Sequence, residues 1–155
     1  MKIYCPFCKK EQECYLNKKL IRTFKGVVVN IEGDVPICKG CGEKLILDEI
    51  EKKNNKKIFD KYRKEKNIIS PEDIVNFRKK YNISQRELTG ILDFGKMTIN
   101  RYENGALPTK SQSDYLKLLF KSEEGFFNKV EEAFEEERIT EKTYKKIKKI
   151  KDNKK

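Results

Sequence analysis

Two pairs of cysteines carry the clearest chemistry in this sequence. Cys5-Pro-Phe-Cys8 and Cys38-Lys-Gly-Cys41 both have the C-x-x-C spacing, and residues 9–37 lie between the pairs. Two residues between ligands allow a tight turn to bring both sulfurs to one metal, and zinc takes four such ligands in a tetrahedron. The pattern therefore predicts one structural Zn²⁺ per chain, held by Cys5, Cys8, Cys38 and Cys41.

Other roles for these cysteines are less consistent with the sequence. A redox-active C-x-x-C motif does not account for the second pair, whereas an iron–sulfur cluster is an alternative occupant of four thiolates. Cys14 is expected to be a packed, small apolar residue rather than a ligand or redox group. The chain has no histidine, and a closed four-thiolate site leaves no open position for catalysis. We therefore expect a protein that is not an enzyme.

Residues 84–105 have the pattern of a DNA-binding helix-turn-helix. Ser84 and Glu87 form a capping box at the start of a first helix, and Gly95 is expected to supply the permissive backbone of the turn. A second helix is predicted over residues 96–103, ended by Asn104-Gly105. The alternative is an ordinary helical hairpin in a core. In that case the capping box, the turn and the Arg-Tyr-Glu-Asn-Gly ending would have to occur together by chance.

The second helix presents the side chains that a major groove requires. Its first residues, and the one a turn later, are expected to reach the bases, and Arg101 has the fork that binds guanine. The alternative for Arg101 is an ion pair with Glu87 or Glu103. Polar side chains near both helices are expected to contact phosphates. The predicted DNA-binding residues are Gln85, Lys96, Met97, Thr98, Asn100, Arg101 and Lys110.

Composition bounds the partners of the chain. Its 155 residues include 36 Lys and Arg against 25 Asp and Glu, a formal charge of +11. This favours a polyanionic partner such as double-stranded DNA, although a lysine-rich proteome would produce the same excess. The N-terminus has no apolar signal region and no apolar run reaches membrane-spanning length. We therefore expect a cytoplasmic protein without a membrane partner, in which clustered cysteines are reduced.

The remaining segments complete an α+β organisation. Residues 1–47 are expected to form a small zinc-bound antiparallel β module of short strands, with turns at Lys25-Gly26 and Glu32-Gly33-Asp34. Residues 48–69 are expected to be a helical connector or a disordered charged linker. Residues 70–121 are expected to form an all-α helix-turn-helix domain. Residues 122–155 are expected to form a C-terminal helical extension, with an acidic helix followed by a basic one.

These motifs resemble known families. Ser-Gln-x-Glu-Leu, a turn, then Thr-Ile-x-Arg-Tyr-Glu-x-Gly resembles the Cro/XRE-type helix-turn-helix. Preceded by Cys-Pro-x-Cys and Cys-x-x-Cys, it resembles the MqsA-type antitoxins with a YgiT-type zinc finger, over about residues 1–121. Arg101 matches the Arg of the Arg-Tyr-Glu motif, whereas Met97 stands where these antitoxins often carry a polar amide.

The resemblance implies an antitoxin of a type II toxin–antitoxin system. Its zinc module would bind a protein toxin, and its helix-turn-helix homodimer would repress transcription at an inverted-repeat operator. The alternative function is a stand-alone phage or mobile-element regulator with a structural zinc module. A neighbouring reading frame for a small toxin would discriminate between the two functions.

Overall fold

The structure is a computed structural model that describes residues 1–153. It divides into two compact units, a first over Met1–Glu65 and a second that begins at Lys66. Residues 154 and 155, the end of the expected C-terminal extension, lie outside the described residues. None of the helices within residues 1–153 combines the length and apolar character needed to cross a membrane.

The first unit is built on a three-stranded antiparallel sheet. Strands β1 (Lys2–Cys5), β2 (Lys10–Phe24) and β3 (Val27–Cys38) lie in the order β1-β2-β3. Lys25 and Gly26 join β2 to β3 with φ angles of 47° and 78°. Positive φ at both central residues is what a tight hairpin turn with the twist of its strands requires. The turn predicted at Lys25-Gly26 is therefore confirmed.

The turn predicted at residues 32–34 is wrong, because these residues lie inside β3. The side-chain amide of Asn54 donates to the carbonyl of Asp34 at 2.8 Å and accepts from its N–H at 3.1 Å. A Cβ at Gly33 would lie 2.8 Å from Asn54 Oδ1. Gly33 thus permits the close approach of the buried Asn54 amide. The short strands predicted for this module are also wrong, because β2 has 15 residues and β3 has 12.

Helix α1 (Asp48–Lys66) occupies most of the range expected to be a connector. Its Ile58 is buried with Leu20 and Val29 of the sheet, and both carboxylate oxygens of Glu51 accept from Arg22 at 2.9 Å. The helix therefore belongs to the first unit, since it covers one face of the sheet.

Over residues 66–153, the second unit consists of six helices around one apolar core. They are α2 (Pro71–Tyr81), α3 (Gln85–Leu92), α4 (Thr98–Glu103), α5 (Lys110–Lys121), α6 (Glu123–Glu135) and α7 (Glu141–Asn153). Capping boxes at Ser70, Ser84 and Thr109 start α2, α3 and α5. Together with the sheet, these helices confirm the predicted α+β class.

The C-terminal helices share one apolar core with α2–α5. The ring of Phe126 lies edge-on to Phe77 with centroids 4.8 Å apart, and Phe77 stacks on Phe120 at 3.9 Å. Phe126 and Ile147 are completely buried in the same cluster. Residues 122–153 are therefore an integral part of the second unit.

Candidate metal centre and nucleic-acid interface

The four cysteines predicted as zinc ligands converge at one end of the sheet. The Sγ atoms of Cys5 and Cys41 are 3.6 Å apart, and those of Cys8 and Cys38 are 3.9 Å apart. All four lie within 4.8 Å of one another. Tetrahedral zinc with Zn–S bonds of about 2.3 Å needs sulfurs about 3.8 Å apart. The four cysteines therefore fit a single Zn²⁺ ion.

Cys14 lies outside this group of sulfurs. It faces Cys38 across β2 and β3, is 4% exposed, and its thiol donates to the carbonyl of Gln12 at 3.5 Å. It packs with Leu45 beneath the metal centre. This environment is that of a small apolar residue in a core.

Strand ends and tight turns position the ligands. Cys5 ends β1 and Cys38 ends β3. A backbone hydrogen bond closes the turn of each pair: the N–H of Lys9 donates to the carbonyl of Cys5 at 2.8 Å, and the N–H of Gly42 donates to the carbonyl of Cys38 at 2.8 Å. The N–H of Cys8 donates to Cys5 Sγ at 3.4 Å, and that of Gly40 to Cys38 Sγ at 3.3 Å. Such donors disperse thiolate charge and orient the ligands.

The thiols differ in how readily they ionise. Burial, and hydrogen bonds that the Cys8 thiol shares with the neighbouring cysteines, raise the pKa of Cys8 to about 12. Burial also raises the pKa of Cys38, but the backbone N–H groups of Cys41 and Gly40 outweigh it and bring that pKa to about 7. Metal binding needs all four thiolates and releases their protons. The thiol of Cys38 is therefore more acidic than that of Cys8.

Helices α3 and α4 form the predicted helix pair, with two local corrections. The residue in the left-handed region is Asp93, at φ 56°, rather than Gly95, since a short polar side chain tolerates this conformation. Helix α4 begins at Thr98 instead of residue 96, because Gly95–Met97 form a turn in which Thr98 N–H donates to Gly95 at 3.0 Å.

An ion pair attaches α4 to the rest of the unit. The guanidinium of Arg78 on α2 donates to both oxygens of Glu103, at 2.6 and 2.9 Å, and also to the carbonyl of Ile83 at 3.1 Å. Ile99 and Tyr102 are buried on the inner face of α4. The opposite face of this short helix is thereby held outward.

The outward face of α4 and the turn before it carry five of the seven residues predicted to bind DNA. Lys96, Met97 and Arg101 are exposed, whereas Gln85, Thr98 and Asn100 are half-buried. Asn100 Nδ2 donates to Gln85 Oε1 at 3.1 Å, so these two side chains fix each other. Gln85, Lys96, Met97 and Asn100 line one groove of about 660 Å³. The structure brings these four residues together.

Arg101 and Lys110 differ in their surroundings. The partners suggested for an Arg101 ion pair are occupied, Glu103 by Arg78 at 2.6 Å and Glu87 by Lys146 at 3.0 Å. Within residues 1–153, Arg101 forms no ion pair. Lys110 is outside the groove, where it contacts Asp114 at 3.1 Å.

Two cations of the groove were not among the predicted residues. Arg86 and Arg138 line it beside Met97. Arg86 directly follows Gln85 at the start of α3, so the sequence contained a signal from which its place in the groove could have been predicted. Arg138 is distant in the chain, and no spacing pattern connects it to this helix pair.

Comparison with known proteins identifies the family. The family model described as the antitoxin component of a bacterial toxin–antitoxin system, MqsA, matches residues 1–131. A search of curated proteins found no match. The matched range includes the four-cysteine centre and helices α3 and α4, which confirms the resemblance to the MqsA-type antitoxins inferred from the motifs. The chain belongs to the MqsA family of antitoxin components of bacterial toxin–antitoxin systems.

Proposed function

We propose that this antitoxin neutralises a protein toxin through its first unit and represses transcription through a dimer of its second unit. The observation that carries the proposal is that one antitoxin family model spans both the cysteine centre and the helix pair. Zn²⁺ held by the four cysteines would join the ends of β1 and β3, which stabilises a unit with a small core.

The DNA half of the proposal rests on the outward face of α4. Arg101 is exposed and without an internal counter-charge in the described chain, so its guanidinium is available to guanine O6 and N7. Met97 is 53% exposed at the start of the helix, and its thioether suits apolar contact with a thymine methyl. Gln85 and Asn100, already bonded to each other, are placed to contact a phosphate.

The dimer follows from the symmetry of operators. Two copies reading an inverted repeat require a two-fold interface between second units. Leu118 on α5 is 70% exposed, although Leu116 and Leu119 on the same helix are buried. Such an exposed leucine on a helix that otherwise packs inward is suited to a contact between two copies. Leu118→Lys is expected to convert the dimer to a monomer, measured by analytical ultracentrifugation.

The toxin half rests on the first unit. Ile21 pairs with Asn30 across β2 and β3, so Val28 lies diagonally beside Ile21 on the same face. Their exposed fractions are 55% and 65%. Adjacent exposed apolar side chains on a sheet are typical of a protein-binding surface. We place the toxin on this face.

Arg101→Ala tests the DNA function. Base reading predicts a loss of about 1–3 kcal/mol on the operator and little loss on scrambled DNA. Both affinities are measured at one fixed salt concentration, because phosphate contacts make affinity salt-dependent. Lys121→Ala removes an exposed cation outside the groove and is the matched control. Equal loss on both DNA sequences would contradict base reading by Arg101.

Val28→Glu tests the toxin function. The full-length chain is co-expressed with the product of the adjacent gene, and cell growth and co-purification are measured. Ile46→Glu is the matched control, since Ile46 is an exposed apolar residue of the same unit at the opposite end of β3 from Val28. Loss of rescue by Val28→Glu alone supports the proposal. An adjacent product that is neither toxic nor bound would favour the stand-alone regulator.

A further inference from the structure

The segment beyond the family match is anchored on the helix-turn-helix. The guanidinium of Arg138 donates to the carbonyls of Gly90 and Ile91, at 2.6 and 3.0 Å. These are among the last carbonyls of α3, which the N–H groups of the helix itself do not reach; that of Gly90 also accepts from the N–H of Asp93 at 3.4 Å. A Cβ at Gly90 would lie 2.6 Å from the carbonyl oxygen of Arg138. Glycine at this position therefore permits the segment to lie directly against α3.

A second contact lies at the other end of α3. Glu87, in the first turn of α3, forms an ion pair with Lys146 at 3.0 Å. Burial raises the pKa of Glu87, but hydrogen bonds from Thr143, the N–H of Ser84 and Lys146 outweigh this and lower it. The chain therefore contacts the C-terminal end of α3 through Arg138 and, further along, the N-terminal end through Lys146. It follows that α7 runs antiparallel to α3.

The side of α7 nearest this contact is basic. Lys142, Lys146 and Lys149 recur at i, i+4 and i+7 and therefore share one side of the helix; we call them the α7 lysine stripe. Lys142 and Lys149 are exposed and form no ion pair within residues 1–153. The nearby carboxylate of Glu141 is occupied by Lys145 at 3.0 Å. Lys142 and Lys149, on either side of the paired Lys146, thus present uncompensated positive charge.

The position of the stripe matters for DNA. Lys146 neutralises Glu87, an acidic group at the end of α3 that carries Gln85 and Arg86. That end of the first helix is where a helix-turn-helix crosses the phosphate backbone. Lys142 and Lys149 flank Lys146 along α7. Charge complementarity and this location select the DNA backbone as the partner.

We infer that the α7 lysine stripe is an additional phosphate-binding surface, which extends the DNA contact of the helix-turn-helix beyond the residues shared with the family. The inference rests on the proposed DNA-binding function. The stripe contacts no base, so it adds affinity for any duplex without adding sequence preference.

The test is the salt dependence of binding to a short random-sequence duplex. Each phosphate contact contributes about 0.9 to the slope of log affinity against log salt concentration. Lys142→Gln/Lys149→Gln in the full chain should therefore lower the slope by about 2 and weaken operator and random DNA by the same factor. Lys142→Arg/Lys149→Arg should retain the wild-type slope, because arginine keeps the charge.

Lys52→Gln/Lys56→Gln is the control for net charge. Both are exposed lysines one turn apart on α1, and within residues 1–153 neither forms an ion pair. An unchanged slope for this pair and a lowered slope for the stripe support the inference. The inference would be overturned if the two glutamine double variants had the same slope, or if the slope of the stripe variant equalled that of the wild type. Either result would leave the DNA-binding function itself intact. Absence of DNA binding by the wild-type chain would overturn both proposals.

Discussion

The ion pair between Arg78 and Glu103 joins α2 to α4, and its contribution to the free energy of unfolding can be measured. The side chain of Glu103 is 6% exposed and that of Arg78 is 19% exposed. Removing one partner of a buried ion pair typically costs about 3–5 kcal/mol. Glutamine at position 103 still accepts one hydrogen bond, and Arg78 still donates to Ile83. We therefore expect Glu103→Gln to lower the free energy of unfolding by about 2–3 kcal/mol.

Thermal unfolding followed by circular dichroism measures this change. For a domain of this size 1 kcal/mol corresponds to about 4–8 °C, so the midpoint should fall by about 10–20 °C. The transition of the second unit is the one that a zinc chelator does not shift. Glu141→Gln is the matched control, because its pair with Lys145 is more than two-thirds exposed on both sides, and such pairs contribute little.

Two results would refute this reasoning. Glu103→Gln would be no more destabilising than Glu141→Gln if the pair were energetically neutral. Arg78→Met/Glu103→Leu would be as unstable as the single variant if the loss came from packing rather than from an uncompensated charge. The present geometry predicts instead that the apolar double variant recovers part of the stability, since neither desolvated charge remains.

Three further changes test other contacts. Removal of zinc by a chelator, or Cys5→Ser, should unfold the first unit and spare the second, whereas Cys14→Ser should retain one equivalent of metal by elemental analysis. Gly90→Ala should cost about 1–3 kcal/mol in chemical denaturation, because its Cβ would collide with the Arg138 carbonyl; unchanged stability would exclude this close contact. Burial raises the pKa of Glu87, but hydrogen bonds outweigh this effect and hold the pKa below its usual 4.5. The ionised carboxylate therefore stabilises the folded state above about pH 4.5, and this stabilisation is lost as the pH falls through the lower pKa of the folded state. Glu87→Gln should therefore flatten the acid limb of stability against pH, and a parallel curve would contradict this.

The sequence by itself determined the features that depend on short spacings. A C-x-x-C pair closes its own turn, so Cys5 with Cys8 and Cys38 with Cys41 were identifiable as two halves of a metal centre. The capping box of Ser84 with Glu87 joins residues three apart, and its geometry is local to one helical turn. The family resemblance likewise rested on short motifs in a fixed order.

Only the tertiary structure decided which distant groups meet. Glu103 binds Arg78 rather than the adjacent Arg101, because α2 packs against α4 and brings the guanidinium within 2.6 Å. Gly33 resembles a turn residue in sequence, yet it lies in a strand where the amide of Asn54 approaches it. Arg138 lies 2.6 Å from the carbonyl of Gly90 because the shared apolar core folds the C-terminal helices onto α3. Such contacts depend on the packing of whole elements, which no local pattern of residues encodes.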